Sequence, residues 1–380
     1  MNETEIKALT AQFETLLREQ IARQEGLAQG AKARDFAAAD RIVIGVVGGD
    51  GIGPIIVRQA RRVLEKLLAE ELGAGRVELR DIEGLTLENR LAQGKAVPDA
   101  VLAAIRGCDV LLKGPTTTPK GGTLESANVT LRRELDLYAN VRPVSIPEEG
   151  IDWIFFRENT EGEYALGSRG VELPGLLSMD FKVTTDAGTR RIARAAFNYA
   201  RANGKTNVAI VTKANIMKKT DGMFSRIAHE VAAEYPEIVA EDWYIDIMAA
   251  NLVNPALRGK FQVFLLPNLY GDILTDEAAQ FQGGVGTAGS ANIGDRCAMF
   301  EAIHGSAPRK IEAGEGDYAN PTSILRAAEL LLRHIGMADK ADRLSAALEL
   351  CTRTERRVVV TGHRGGATCA EFADYVMKKL

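Results

Sequence analysis

The sequence predicts an α/β fold arranged as two lobes, and three observations carry that expectation. Strand-length apolar runs alternate with helix-period segments from Arg41 onward. The 380 residues are enough for two separate cores. A glycine-rich passage over 283–294 suits a crossing from one lobe to the other.

Taken in order, residues 3–29 read as one amphipathic helix, because Ile6, Leu9, Phe13, Leu16 and Leu17 recur at helical spacing. Its apolar stripe suits packing on another subunit, and an Ala-rich, charged linker follows to Asp40. The α/β pattern then opens with a buried strand over 42–47, a glycine turn and a helix over 55–68. A strand over 77–81, a helix over 99–106 and a strand over 109–112 follow. A second block starts near Tyr138. Strands are expected there over 153–157, 182–184, 208–211 and 263–266, with helices over 189–202, 222–234 and 272–282. Beyond the glycine-rich passage the pattern gives a short apolar strand, a helix over 322–335 and a terminal helix over 371–379. The domain expectation is a helical extension (1–40), a discontinuous large domain (41–137 and 283–380) and a small domain (138–282).

Composition excludes several classes. A formal net charge of −4 argues against a nucleic-acid or membrane-surface partner, since both favour a basic face. The longest apolar runs are strand-sized, far short of a membrane span. The first forty residues carry Glu3, Glu5 and Glu14 and lack a continuous apolar stretch, which separates them from secretory and transit peptides. Cys108, Cys297, Cys351 and Cys369 show neither CxxC pairing nor metal-ligand spacing. They read as reduced structural thiols, and a cytoplasmic location is expected.

Four segments could carry chemistry. Gly48-Gly49-Asp50-Gly51-Ile52-Gly53 lies between strand and helix. It reads either as a nucleotide-binding turn or as a tight βα turn with no ligand. Ser126 and Asn128 lead toward Arg132, Arg142 and Arg157, guanidinium groups able to grip carboxylates bidentately or to be solvated surface charges. Asp272 and Asp276 stand four apart in a helical segment. They are two hard oxygen donors for Mg²⁺ or Mn²⁺, or simply favourable acids in a first turn. His304-Gly305-Ser306-Ala307 forms a polar loop after an apolar strand; such a histidine can lie against an adenine ring or do nothing.

Together and in this order, the stretches GGDGIGP, LLKGPTTTP, SANVTLRRELDLYANVRPV, FFRENTEGEY, VTKANIMK, PNLYGDILTDEAA, FEAIHGSAP and the later ANP resemble the isocitrate and isopropylmalate dehydrogenase family of β-decarboxylating dehydrogenases. The resemblance runs from Ile42 to Phe372. It implies the family's own two-lobed α/β fold, which is not a Rossmann fold, in a homodimer whose active sites are shared between subunits. It implies that Arg132, Arg142 and Arg157 hold substrate carboxylates, with Ser126 and Asn128 meeting the γ-carboxylate of isocitrate. It implies Tyr164 as the acid that protonates C3 and Lys213 as a lysine that helps remove the C2 hydroxyl proton, supplied to each site by the other subunit. Asp246, Asp272 and Asp276 match the metal ligands, Asp246 again reaching across the dimer. Thr118, Asn215, Glu301, His304, Gly305, Ser306, Ala307 and Asn320 match the nucleotide site.

The Ser126/Asn128 pair favours isocitrate, a 2-hydroxy tricarboxylate, over isopropylmalate. A buried Ser and Asn facing an isopropyl group would lose hydrogen bonds without replacement. For the cofactor, Arg309 and Lys310 stand where NAD-preferring members carry an acid, and cations there suit the 2′-phosphate of NADP. The tyrosine and arginine of some NADP members are missing near Gly362, and NAD is expected. The rival readings are a dehydrogenase of isopropylmalate, tartrate or malate, and a non-catalytic partner subunit. Retention of Tyr164, Lys213 and the three aspartates speaks against the last.

Overall fold

The computed structural model describes residues 3–28, 34–119, 124–167 and 169–380. The chain divides into two compact units, one of 1–32 with 147–274 and the other of 33–146 with 275–380. The divisions at 146/147 and 274/275 fall several residues from the expected 137/138 and 282/283. The second of them lies inside the helix Asn268–Phe281 and not in the glycine-rich passage. Part of that passage, Gly289–Ile293, is itself a strand.

The unit of 33–146 and 275–380 is built on six strands. Their order is Val77–Ile82, Ile42–Val47, Val110–Lys113, Ala298–Ala302, Gly289–Ile293 and Ala139–Ile146. The first four run parallel, and Gly289–Ile293 is antiparallel to both its neighbours. Parallel strands covered on both faces read as unbroken apolar runs, as Ile42–Val47 does. Pro54 opens the helix Gly53–Leu67 at a position where its missing N–H is harmless. The buried Ile56, Ala60, Val63, Leu64 and Leu67 repeat at helical spacing and meet Leu325, Leu331 and Val376 in one core.

The other unit carries four parallel strands in the order Ile151–Glu158, Val263–Leu266, Asn207–Thr212 and Val239–Tyr244. Its core is aromatic: Phe155 and Phe264 stack with ring centroids 4.3 Å apart, and Trp153 stands edge-on to both. The expected strand over 182–184 is a correction. Only a single bridge, Gly162 to Val183, forms there. Lys182 turns inward to the buried Asp221 and Thr185 already caps the helix Asp186–Ala202, so no room remains for a ladder.

The N-terminal helix is Glu3–Ala28; position 29 and the linker at 30–33 lie outside the described residues. It packs on the unit of 147–274 of its own chain. Leu16 is buried while Ile6, Phe13 and Leu17 remain exposed, so only part of the expected stripe is covered. Among the described residues no helix is long and apolar enough to cross a membrane.

Candidate active site

In the unit of 33–146 and 275–380 the candidate residues gather around three loops. The turn 48–53 is not an open phosphate cradle. Asp50 N–H donates to the Pro115 carbonyl at 2.8 Å and Ile52 N–H to the Ser306 carbonyl at 3.0 Å. The Asp50 carboxylate accepts from Leu87 N–H at 2.7 Å and Thr117 N–H at 2.8 Å. Thr117 Oγ1 and Ser306 Oγ, 2.6 Å apart, complete the clasp. The glycines are needed for close approach: Gly51 has φ +59°, and a Cβ there would lie 2.0 Å from the Ser306 carbonyl oxygen. The Gly51→Ala variant is therefore expected to lose about 1–3 kcal/mol of stability and to displace the 304–308 loop. Thermal unfolding and nucleotide titration check both effects.

In the same unit, Ser126 is the N-cap residue of the helix Ala127–Glu134, yet its hydroxyl makes no capping bond. Asn128 Oδ1 accepts from Thr116 Oγ1 at 3.0 Å. Arg132 follows one turn later, donating to Glu301 Oε1 at 3.2 Å, and its Nε is buried with no hydrogen-bond partner among the described residues. The fully buried Arg90 fixes the approach to this helix by donating to the carbonyls of Thr117 and Glu125. Arg142, on the strand Ala139–Ile146, donates to Thr275 Oγ1 at 2.6 Å and Asp276 Oδ1 at 2.9 Å.

Glu301 is not at the surface. It lies between Lys113, at 2.9 Å, and Arg132, and also accepts from Asn292 Nδ2 at 2.9 Å. Burial alone would raise its pKa, but the two cations hold it down to about 2. His304 keeps its Nδ1 against the Gly305 carbonyl while its Nε2 is buried without a partner among the described residues, and burial lowers its pKa. Ala307 adopts a left-handed conformation, φ 45°, as the residue before the short helix Pro308–Glu312, which carries Arg309 and Lys310. Lys310 Nζ donates to the Gly362 carbonyl, and Glu315 pairs with His363 at 2.9 Å. Asn320 Oδ1 accepts from Thr322 N–H at 2.9 Å, which shapes the start of the helix Thr322–His334. Thr118 is exposed.

In the unit of 147–274, Arg157 is 1% exposed. Its Nε and Nη2 donate to Asn268 Oδ1 at 3.0 and 2.6 Å, and its Nη1 donates to Asp272. Tyr164 Oη donates to Asp272 Oδ2 at 3.0 Å, and its ring lies under the Arg157 guanidinium at 5.4 Å. Three sequence candidates are thus brought together: Arg157, Tyr164 and Asp272. Lys213 and Asp246 form a separate pair, 2.6 Å apart, whose bond from the lysine holds the Asp246 pKa down. Asn215, two residues beyond Lys213, is exposed. Among the described residues no three of His, Cys, Asp and Glu converge as a metal cage.

Sequence reasoning missed the groups that hold this machinery. Buried Asp221 accepts from the Lys213 backbone N–H at 2.7 Å and is itself neutralised by Lys182 at 2.6 Å. Lys113 plays the same part for Glu301. A cation or acid inside an otherwise apolar stretch, as in Leu111-Leu112-Lys113, was the signal available.

Residues 43–376 match the model of the isocitrate/isopropylmalate dehydrogenase family. The chain belongs to that family. It is 36% identical over 364 residues to a Drosophila melanogaster protein named as a probable isocitrate dehydrogenase [NAD] subunit alpha, mitochondrial, covering 92% of this chain and 90% of that one. It is 39% identical over 351 residues to the isocitrate dehydrogenase [NADP] of Thermus thermophilus, covering 90% and 68%. The crystal structure of isocitrate dehydrogenase from Methylococcus capsulatus superposes with a TM-score of 0.78 at 36% identity, covering 89% of this chain and 99% of that one. The family fold is thus the one expected from the motifs. The expected cytoplasmic location gains no support, since the Drosophila relative is named as mitochondrial.

Proposed function

We propose that this protein oxidises and decarboxylates isocitrate to 2-oxoglutarate and CO₂, reducing NAD, with Mg²⁺ or Mn²⁺ and in a homodimer that shares its sites. The observation that carries the substrate is the helix Ala127–Glu134. Ser126 keeps its hydroxyl out of the cap, Asn128 is anchored by Thr116, and Arg132 keeps a buried Nε–H without a partner among the described residues. That set suits a carboxylate and would strand three polar groups against an isopropyl chain.

The residues fit the implied groups. Asp272 and Asp276 are oxygen donors one helical turn apart, the ligand type a hard divalent cation takes. A third carboxylate, Asp246 of a second copy, would complete the set. Around Asp246 and on the hairpin of Val171–Leu173 and Leu177–Met179, the unit leaves Tyr244, Ile247, Val253, Leu176, Leu177 and Met179 exposed, which suits burial against that copy. His304 Nε2, buried and unpartnered among the described residues, with Ser306, Ala307, Gly305 and Asn320, suits an adenine edge, and Thr118 and Asn215 suit the rest of the dinucleotide. Lys310 is committed to Gly362, so Arg309 alone would face a 2′-phosphate, and NAD is the preferred nucleotide.

When bound, the cation supplies Lewis-acid stabilisation of charge developing on the substrate oxygens, and the nicotinamide supplies the hydride acceptor. The protein does the rest. Arg132, Arg142 and Arg157 fix the carboxylates, Lys213 Nζ in its neutral amine form receives the C2 hydroxyl proton, and Tyr164 Oη delivers a proton to C3 after CO₂ leaves. The test is NAD or NADP reduction by metal-stripped protein given isocitrate or 3-isopropylmalate, with and without Mg²⁺. Mg²⁺-dependent turnover of isocitrate with NAD is expected. Turnover confined to isopropylmalate would overturn the substrate, faster NADP reduction the nucleotide, and silence with every pair would indicate a non-catalytic subunit.

A further inference from the structure

The family match begins at residue 43, after the helix Glu3–Ala28. That helix is seated on its own chain by the buried Leu16, by Phe13 against Phe181 at 5.5 Å, and by Glu19 paired with Arg169. Arg23 reaches further than these. Its Nη1 donates to Glu161 Oε1 at 2.8 Å and its Nη2 to Thr160 Oγ1 at 3.0 Å.

Glu158, the last residue of the strand Ile151–Glu158, and Glu161, in the loop that leads on to Tyr164, are both buried, at 2% exposure. Burial and the charge of Glu161 push the Glu158 pKa up to about 7, against hydrogen bonds from Thr160 and the charge of Arg191. Thr160 links the two acids to the cations. Its hydroxyl donates to Glu158 Oε1 at 2.7 Å and accepts from Arg191 Nη2 at 3.1 Å as well as from Arg23. Glu161 also accepts from Thr185 N–H at 2.9 Å and Oγ1 at 2.5 Å. Gly188 leaves it room, since a Cβ there would lie 2.2 Å from Glu161 Oε1. Arg23 from the appended helix and Arg191 from the helix Asp186–Ala202 both bring positive charge to this pair.

The same loop is wired to the candidate site. The Glu161 carbonyl accepts from Asn268 Nδ2 at 3.1 Å, and Asn268 Oδ1 is the acceptor that holds Arg157. Arg157 and Tyr164 then share Asp272. We propose that Arg23, carried by a segment outside the family fold, is a positioning residue for Arg157 and Tyr164, acting by neutralising Glu161 at the root of their loop. Its effect on turnover rests on the reaction proposed above.

The test compares full-length Arg23→Met, Arg23→Lys and Arg23→Met/Glu161→Gln with the wild type, by kinetics and by thermal unfolding at pH 6 and pH 8. Arg23→Met is expected to lower kcat/KM for isocitrate about tenfold, the worth of roughly one pKa unit, while KM for the nucleotide holds. The deficit in both activity and unfolding temperature is larger at pH 8, because at pH 6 a proton kept by the acidic pair substitutes for the missing cation. Arg23→Lys retains most of the activity, and the double variant recovers relative to Arg23→Met because the charge needing neutralisation is gone. Wild-type behaviour of Arg23→Met, a deficit equal at both pH values, or no recovery in the double variant overturns the proposal. If the wild type does not turn over isocitrate, the reaction assignment fails, and the unfolding data of the same variants still decide the role of Arg23.

Discussion

Replacing Lys213 by Met is expected to reduce kcat by about 10²–10⁴-fold, the range lost when a positioned proton acceptor is removed. The methionine keeps the length and apolar character of the stem, so the fold tolerates it. The backbone is held independently, by the bond from Lys213 N–H to Asp221, and the Nζ, 5.9 Å from the Tyr244 ring centroid, is only partly enclosed. Nucleotide affinity should therefore change little. The placement of Lys213 with Asp246, apart from the Arg157–Tyr164–Asp272 group, gives a sharper expectation. Mixing Lys213→Met chains with Tyr164→Phe chains should restore activity that neither variant shows alone, because one hybrid site then has both groups. Steady-state assays of the refolded mixture check it. No gain over the separate variants would show that each chain builds its own complete site.

The largest expected effect on stability is that of Glu301→Gln. Lys113 is fully buried beside it and Arg132 nearly so, and a neutral amide would leave both cations without their counter-ion. Breaking a buried pair in this way costs about 3–5 kcal/mol, and each kcal/mol lowers Tm by roughly 2–4 °C in a domain of this size. The pH dependence has a definite sign. The Glu301 pKa falls from its ordinary 4.5 to about 2 on folding, so its contribution is full above the unfolded value and is lost as pH falls through the folded one. The gap in Tm between wild type and variant should be wide at pH 7 and narrower at pH 3. An unchanged gap would show that Glu301 is not the counter-ion of this cluster.

What could be read from the sequence followed from local periodicity and from motif order. Ile42–Val47 and Gly53–Leu67 announce themselves by unbroken apolar character and helical spacing. The strand Ala139–Ile146 does not, because it contains Arg142 and Pro143, and its arginine finds Thr275 and Asp276 far along the chain. The strand Val239–Tyr244 was missed for a related reason: it mixes acids with apolar residues at the edge of its sheet. The site residues were legible through motifs that resemble a family, residue by residue. Their partners were not. Lys113 with Glu301, Lys182 with Asp221 and Arg23 with Glu161 are pairings between distant segments, and neither period nor propensity reports which buried charge answers which.

Two of the three aspartates proposed as metal ligands are already answered by a guanidinium of the same chain, Asp272 by Arg157 and Asp276 by Arg142, and the third, Asp246, by Lys213. Ligand uptake is then a partner exchange rather than the filling of vacant charges. Asp272 gives up Arg157 readily only when another positive charge takes that place, and Arg157 turns to an incoming carboxylate only when Asp272 is otherwise satisfied. Each event lowers the barrier to the other, so apparent affinity for the acid should climb with cation concentration and the reverse should hold to the same degree. A protein that keeps its own charges mutually engaged also discriminates against lone ions, since neither a stray anion nor a stray cation can satisfy both halves of an exchange.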